Sequence, residues 1–193
     1  MQRTTNVLCR ALLAAAVLAL TACGTTRQVV VTPAEPLARA ESGGISADLR
    51  FLDDTTLTRD FGSDSNPFLT EYYRLSFRRL LVFELTLRNQ SGAPVELELS
   101  ECELDYGGRR TRATNRYQLA SHWESLDEPR IAAQKKRPID RWVLPNRAVV
   151  ADGATRFGYL VFMGNLPREG AAAIHVPVFY EGGSATLSFD YAF

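Results

Sequence analysis

Apolar side chains recur at every second position through most of this sequence, and that period restricts what it can become. Phe83, Leu85 and Leu87 alternate with Glu84, Thr86 and Arg88. After Asn89-Gln90-Ser91-Gly92 and Pro94, Val95, Leu97 and Leu99 alternate with Glu96 and Glu98. A strand sends successive side chains to opposite faces, so each run has one apolar and one charged face. An antiparallel sheet with one wet side is the expected result. Ile45, Ala47, Leu49 and Phe51 repeat the pattern upstream. Ala185, Leu187, Phe189, Tyr191 and Phe193 repeat it at the end. The inward parity changes near Ser100–Glu101, which predicts a bulge or a bend toward a second sheet.

Turns divide the remaining strands. Gly107-Gly108 suits the positive φ of a tight hairpin. A two-residue turn there sets Asp105 opposite Arg110 and Glu103 opposite Arg112, with Cys102 and Leu104 on the other face. Residues 53–72 read as a long polar segment. Residues 115–141 break the rhythm: Leu119, Trp123 and Leu126 fall at i, i+4 and i+7, predicting a short helix that ends near Pro129. Strand signals resume at Trp142-Val143-Leu144 and Arg147 to Val150, and after Asp152-Gly153 at Arg156 to Phe162. A further strand is expected over Ala173 to Tyr180. The prediction is an all-β chain, an antiparallel β-sandwich of seven to nine strands with a short helical insertion.

The stretch from Phe83 to Tyr106 with Gly107-Gly108, and Asp152-Gly153 before Phe157-Gly158-Tyr159-Leu160-Val161-Phe162, resemble immunoglobulin-like domains of bacterial envelope lipoproteins. The resemblance covers about residues 80–193 and implies the sandwich, not an activity. The insertion at 115–141 departs from the compact form. Without a Cys…Trp…Cys pattern, a bridged antibody-type domain is excluded.

The N-terminus carries a second resemblance. Arg3 and Arg10 precede the apolar run Ala11 to Leu20, which is about half the ~20 residues a helix needs to cross a bilayer. Leu20-Thr21-Ala22-Cys23 then resembles the cleavage and lipid-attachment site of a bacterial lipoprotein. That implies a signal peptide over 1–22, removal of Cys9 with it, and diacylglycerol on the sulfur of Cys23. An ordinary secretory signal is the alternative. Two acyl chains give stable anchoring. Gly24 in place of aspartate implies, by the enterobacterial rule, an outer-membrane protein facing the periplasm. Residues 23–42, with Pro33 and Pro36, read as a flexible tether, with Val29-Val30-Val31 able to add an edge strand. The sandwich is assigned to 43–193.

The mature length supports one core without metals or bridges. Cys102 is its one thiol past the lipid site, so no internal disulfide can form, and a buried small hydrophobe is the expected role. His122 and His175 have no metal-ligand spacing. The Gly-x-Ser-x-Gly elbow and the phosphate-cradling Gly-x4-Gly-Lys run are absent. Asp60, Gly62, Asp64 and Asn66 faintly suggest a calcium loop but lack its glycine and one oxygen ligand. No spacing selects a carboxylate pair for glycoside cleavage. The expectation is a non-catalytic protein with no cofactor and no metal. The C-terminal Phe193 also suits the last strand of an outer-membrane barrel, although the strands are too short and polar for one.

Charge is uneven. Residues 23–108 carry 8 basic and 14 acidic side chains, whereas 109–147 carry 10 and 4. In that basic middle, Arg109, Arg116, Lys135, Lys136, Arg137 and Arg141, with Trp123 and Trp142, form the candidate contact set. Arginine and aromatics dominate interface hot spots, and such a rim suits anionic lipid, lipopolysaccharide phosphate or an acidic protein. A solvated loop paired to Glu124, Asp127, Glu128 and Asp140 is the competing reading. Nucleic acid fits neither the compartment nor the near-neutral total charge. The sequence therefore predicts a membrane-anchored envelope lipoprotein acting as a binding or assembly-accessory module. A small-ligand or polysaccharide-binding lipoprotein is the alternative, and a hydrolase ranks last.

Overall fold

Gly43 and Gly44, at φ 58° and 77°, reverse the chain between β1 (Leu37–Ser42) and β2 (Ile45–Leu52). A Cβ on Gly44 would stand 2.8 Å from the Gln90 carbonyl oxygen, so this turn tolerates no side chain. The computed structural model describes residues 32–69, 79–164 and 169–193. β1 lies inside the stretch expected to be tether, which corrects that boundary. Its small Ala38 and Ala40 give a weak apolar signal, yet both pack against the core. Leu20 to Cys23 and Val29 to Val31 lie outside the described residues.

β2 pairs with β3 (Arg79–Asn89), and β3 with β8 (Thr155–Gly164), completing a four-stranded antiparallel sheet in the order β1-β2-β3-β8. The second sheet holds β4 (Val95–Glu98), β5 (Glu103–Tyr106), β6 (Arg109–Arg112), β7 (Arg147–Val150), β9 (Ala171–Tyr180) and β10 (Gly183–Ala192). β10 covers one edge of β9 along its length, so β4 and β5 must share the other. They form one column broken by the 3-10 turn Leu99–Glu101, where the parity change was expected. β7 and β6 continue it outward. The hairpin register agrees with the Gly107-Gly108 reading: Asp105 faces Arg110 and Glu103 faces Arg112. The ten strands among the described residues exceed the expected seven to nine.

The two sheets enclose one core. Leu49, Phe83, Leu85 and Phe162 from the first meet Leu97, Ile174, Val176 and Phe189 from the second, each at most 1% exposed. The Tyr191 hydroxyl donates to the Leu49 carbonyl at 2.6 Å and ties one sheet to the other. Burying such side chains stabilises the fold by roughly 1.5–3 kcal/mol each. Cys102 is in this core, 0% exposed, and burial pushes its thiol up to about 12. We expect Ellman's reagent to modify Cys102 only through unfolding, its rate tracking urea. Rapid labelling in buffer would contradict the burial.

The outer face of the first sheet carries a second apolar cluster under three helices. α1 (Asp54–Phe61) starts where the Asp53 carboxylate accepts from the Thr56 amide at 2.7 Å and ends at Gly62, φ 78°. Asn66, 0% exposed, donates to the carbonyls of Leu57 and Gly62 and accepts from the Phe68 amide. That residue of the faint calcium pattern is a staple for the loop. α2 (Arg116–Glu124) opens on a reciprocal cap between Asn115 and Gln118. α3 (Pro129–Trp142) begins at Pro129, which suits a first helical turn. The insertion is thus a pair of helices rather than one short helix. Trp142 closes α3, and Val143 makes one isolated bridge to Tyr159, so no strand forms at 142–144. Because the helices cover β3 and β8, Leu80 to Phe83 and Gly158 to Phe162 are buried without alternation.

Candidate functional site

Helical phase decides what α3 shows to solvent. Ala132, Lys135 and Ile139 point inward and are buried. Arg130, Arg137 and Arg141 are separated by seven and four residues, which at about 100° per residue keeps all three within about 20° of one line. That line is opposite the buried seam, and all three side chains are exposed. None of the three forms an ion pair with another described residue. Lys136, beside them, is paired with Asp140 one turn on.

At the C-terminal end of α3 the row meets aromatics. The Arg141 guanidinium carbon sits 5.3 Å from the Trp142 ring centroid. Trp142 stacks on Tyr159 at 5.5 Å and meets Phe157 edge-on at 5.8 Å and Phe61 at 6.0 Å. Phe157 is 43% exposed. Tyr159 is held protonated, its pKa pushed up to about 12 by burial and then by Glu84 and Asp60. The result is a basic row running into an apolar ledge.

The candidate contact set divides accordingly. Lys136, Arg137, Arg141 and Trp142 come together on α3. Arg109 is exposed on the β5–β6 hairpin of the other sheet. The Arg116 guanidinium Nε donates to the Val143 carbonyl at 2.7 Å, which clamps the start of α2 to the end of α3. Two members are corrected. Trp123 is 1% exposed, with its indole N–H donating to the Pro67 carbonyl at 3.0 Å. Lys135 is equally buried, its ammonium 3.0 Å from the Asp127 carboxylate and 3.4 Å from the Trp123 ring centroid. Both hold α2 to α3 and cannot meet a partner. Arg130 belongs to the same basic middle but stood outside the contact set, although the 130–137–141 spacing carries its signal, and Phe157 was missed.

Two open clefts flank the helices. One of about 550 Å³ lies along α2, lined by Arg112, Thr114, Tyr117, His122 and Met163. The other, about 440 Å³, lies where Thr32 and Pro36 pass Arg59 and Asp60 of α1. His175 faces Ser188 across β9 and β10, its Nδ1 3.0 Å from the hydroxyl. Among the described residues, no helix is long and apolar enough to cross a membrane.

No family model matches the chain, and no curated protein does. Among solved structures, a candidate lipoprotein (ycdA) of Bacillus subtilis subsp. subtilis str. 168 is similar over 81% of this chain, with 12% identity and a TM-score of 0.45. The match spans 39% of that longer chain. The candidate ApaA protein of Bordetella pertussis is similar over 83% of this chain and 98% of its own, with 12% identity and a TM-score of 0.37.

Proposed function

We propose that this chain is a lipid-anchored envelope protein whose immunoglobulin-like sandwich works by binding rather than catalysis. Its contact face is the outer surface of the helical layer. The observation that carries this reading is the row Arg130, Arg137, Arg141, unpaired among described residues and ending on Trp142 and Phe157. Exposed arginine beside aromatic rings is the composition of interface hot spots. Anchoring rests on Leu20-Thr21-Ala22-Cys23, and Gly24 in place of aspartate supports the outer membrane facing the periplasm by the enterobacterial rule. A small-ligand role has the cleft beside Tyr117 and His122 in its favour.

The test places a photo-crosslinking residue at Arg137 or at Val149, which is 63% exposed on β7 of the other sheet. In living cells, adducts are expected from position 137 and few from 149. Cys23→Ser should release the protein from the membrane fraction and abolish palmitate incorporation. Adducts from 149 alone would move the contact face to the other sheet, and an unchanged membrane fraction without palmitate would remove the anchor.

A further inference from the structure

The place where the chain joins the domain decides which face can reach a bilayer. Thr32 lines the cleft beside α1 with Arg59 and Asp60, and, two residues on, the Ala34 amide donates to the Ala192 carbonyl of β10, so the chain enters at the edge of the sandwich next to α1. α1 touches α3 through Phe61 and Trp142. From Cys23 to Thr32 the chain takes nine Cα steps, about 30 Å at full extension. A domain of some 160 residues is about 40 Å across. The tether is therefore shorter than the domain is wide, which holds the entry edge, with α1 beside it, within about 30 Å of the anchoring lipid.

The face so presented has interfacial chemistry. α3 carries five basic side chains against Asp140 alone. Lys135 is taken up by Asp127 and Lys136 by Asp140, which leaves the three arginines of the outer row. Trp142 and Phe157 lie at one end of that row, and aromatic rings favour the headgroup level of a bilayer. An acidic protein would satisfy the arginines equally, but the short tether brings phosphate-bearing headgroups to them at high local concentration.

We infer that the Arg130–Arg137–Arg141 row and the Trp142–Phe157 ledge dock on the anionic phospholipid surface to which the chain is anchored, fixing the domain's orientation. This inference rests on the lipid-anchor reading and names the partner of the same face. An arginine near an anionic surface strengthens association about fivefold, so the row contributes on the order of a hundredfold.

The test uses the full mature protein, purified from membranes and bound to vesicles of phosphatidylcholine alone or with about a third phosphatidylglycerol. A nitroxide is attached at Ala133→Cys on α3 or at Val149→Cys, and Cys102 stays unlabelled in the core. On anionic vesicles the label at 133 should become several-fold less accessible to an aqueous nickel chelate, while the label at 149 does not change. High salt and the variant R130E/R137E/R141E should each restore access. Equal access at 133 on both kinds of vesicle overturns the inference, and adducts to protein at Arg137 would then name an acidic protein as the occupant. Protection that persists in the triple variant also overturns it, because the tether alone would account for it. Failure of the anchor reads differently: Cys23 is unmodified by mass, and the protein does not float with neutral vesicles. In that case recruitment to anionic vesicles, present in the wild type and lost in the triple variant, supports the row, and equal recruitment of both overturns it.

Discussion

Trp123→Ala is expected to lower the unfolding free energy by about 4 kcal/mol, near the top of the range for removing a buried aromatic ring. The ring is 1% exposed and lies between α2, α3 and the loop at Pro67, so its removal opens a cavity inside the helical layer. Its loss also leaves the Pro67 carbonyl without its donor and Lys135 without the ring beneath its ammonium. With a urea dependence of about 2 kcal/mol per molar for a domain of this size, the midpoint should fall by about 2 M. Trp142→Ala is the internal comparison: that ring is half-buried at the edge of the cluster and should cost clearly less. Equal losses in the two variants would mean that the two indoles do not differ in burial.

The second large effect concerns Lys135. Its ammonium and the Asp127 carboxylate are 1% and 5% exposed, and they form a 3.0 Å pair inside the helical layer. Removing one member of a buried pair takes that partner from the other charge, and Lys135→Met should cost about 3–5 kcal/mol. Asp127→Leu alone should cost a similar amount. Replacing both together with apolar residues removes both buried charges and should recover most of the loss, since buried pairs are often matched by apolar substitutes. Urea melts of the four proteins give the coupling directly. Additive losses would show that the two groups do not act as a pair. Because Lys135 also lies over Trp123, these variants couple to Trp123→Ala and are best read in the wild-type background.

The hairpin at Gly107-Gly108 was readable residue by residue, because a two-residue turn fixes register and the flanking charges must then pair across it. The bend near Ser100 was readable for a related reason: one residue too many shifts an alternating pattern to the wrong face. The helical layer was readable only in part, through the Leu119–Trp123 spacing of α2. α1 has one fully buried apolar side chain, Leu57, so its segment looks polar, and only Asp53 and Gly62 mark its ends. The strands beneath it did carry a sign. Leu80-Leu81-Val82-Phe83 and Tyr159-Leu160-Val161-Phe162 are unbroken apolar runs, as strands covered on both faces should be. Reading only Phe83, Leu85 and Leu87 captured the inner face and left the outer one unexplained.

In the candidate contact set, residue type misled where helical phase would not have. A lysine is expected in water, yet Ala132, Lys135 and Ile139 share the buried side of α3. Trp123 counts as an anchor by residue type, since aromatics dominate interface hot spots, while its spacing from Leu119 already puts it on a packed face. The arginine row needed only the start of α3, and taking Pro129 as an end concealed it.

A strand pair greasy on both sides alters what the insertion is to this molecule. Segments such as 115–141 are commonly treated as cargo that a scaffold can shed or exchange. Here, joining Thr114 directly to Val143 would uncover Val82, Tyr159 and Val161 to water and present a flat, sticky sheet to its neighbours. The trimmed form should clump rather than reveal a simpler ancestor, and any transplant of this scaffold must carry its helices along.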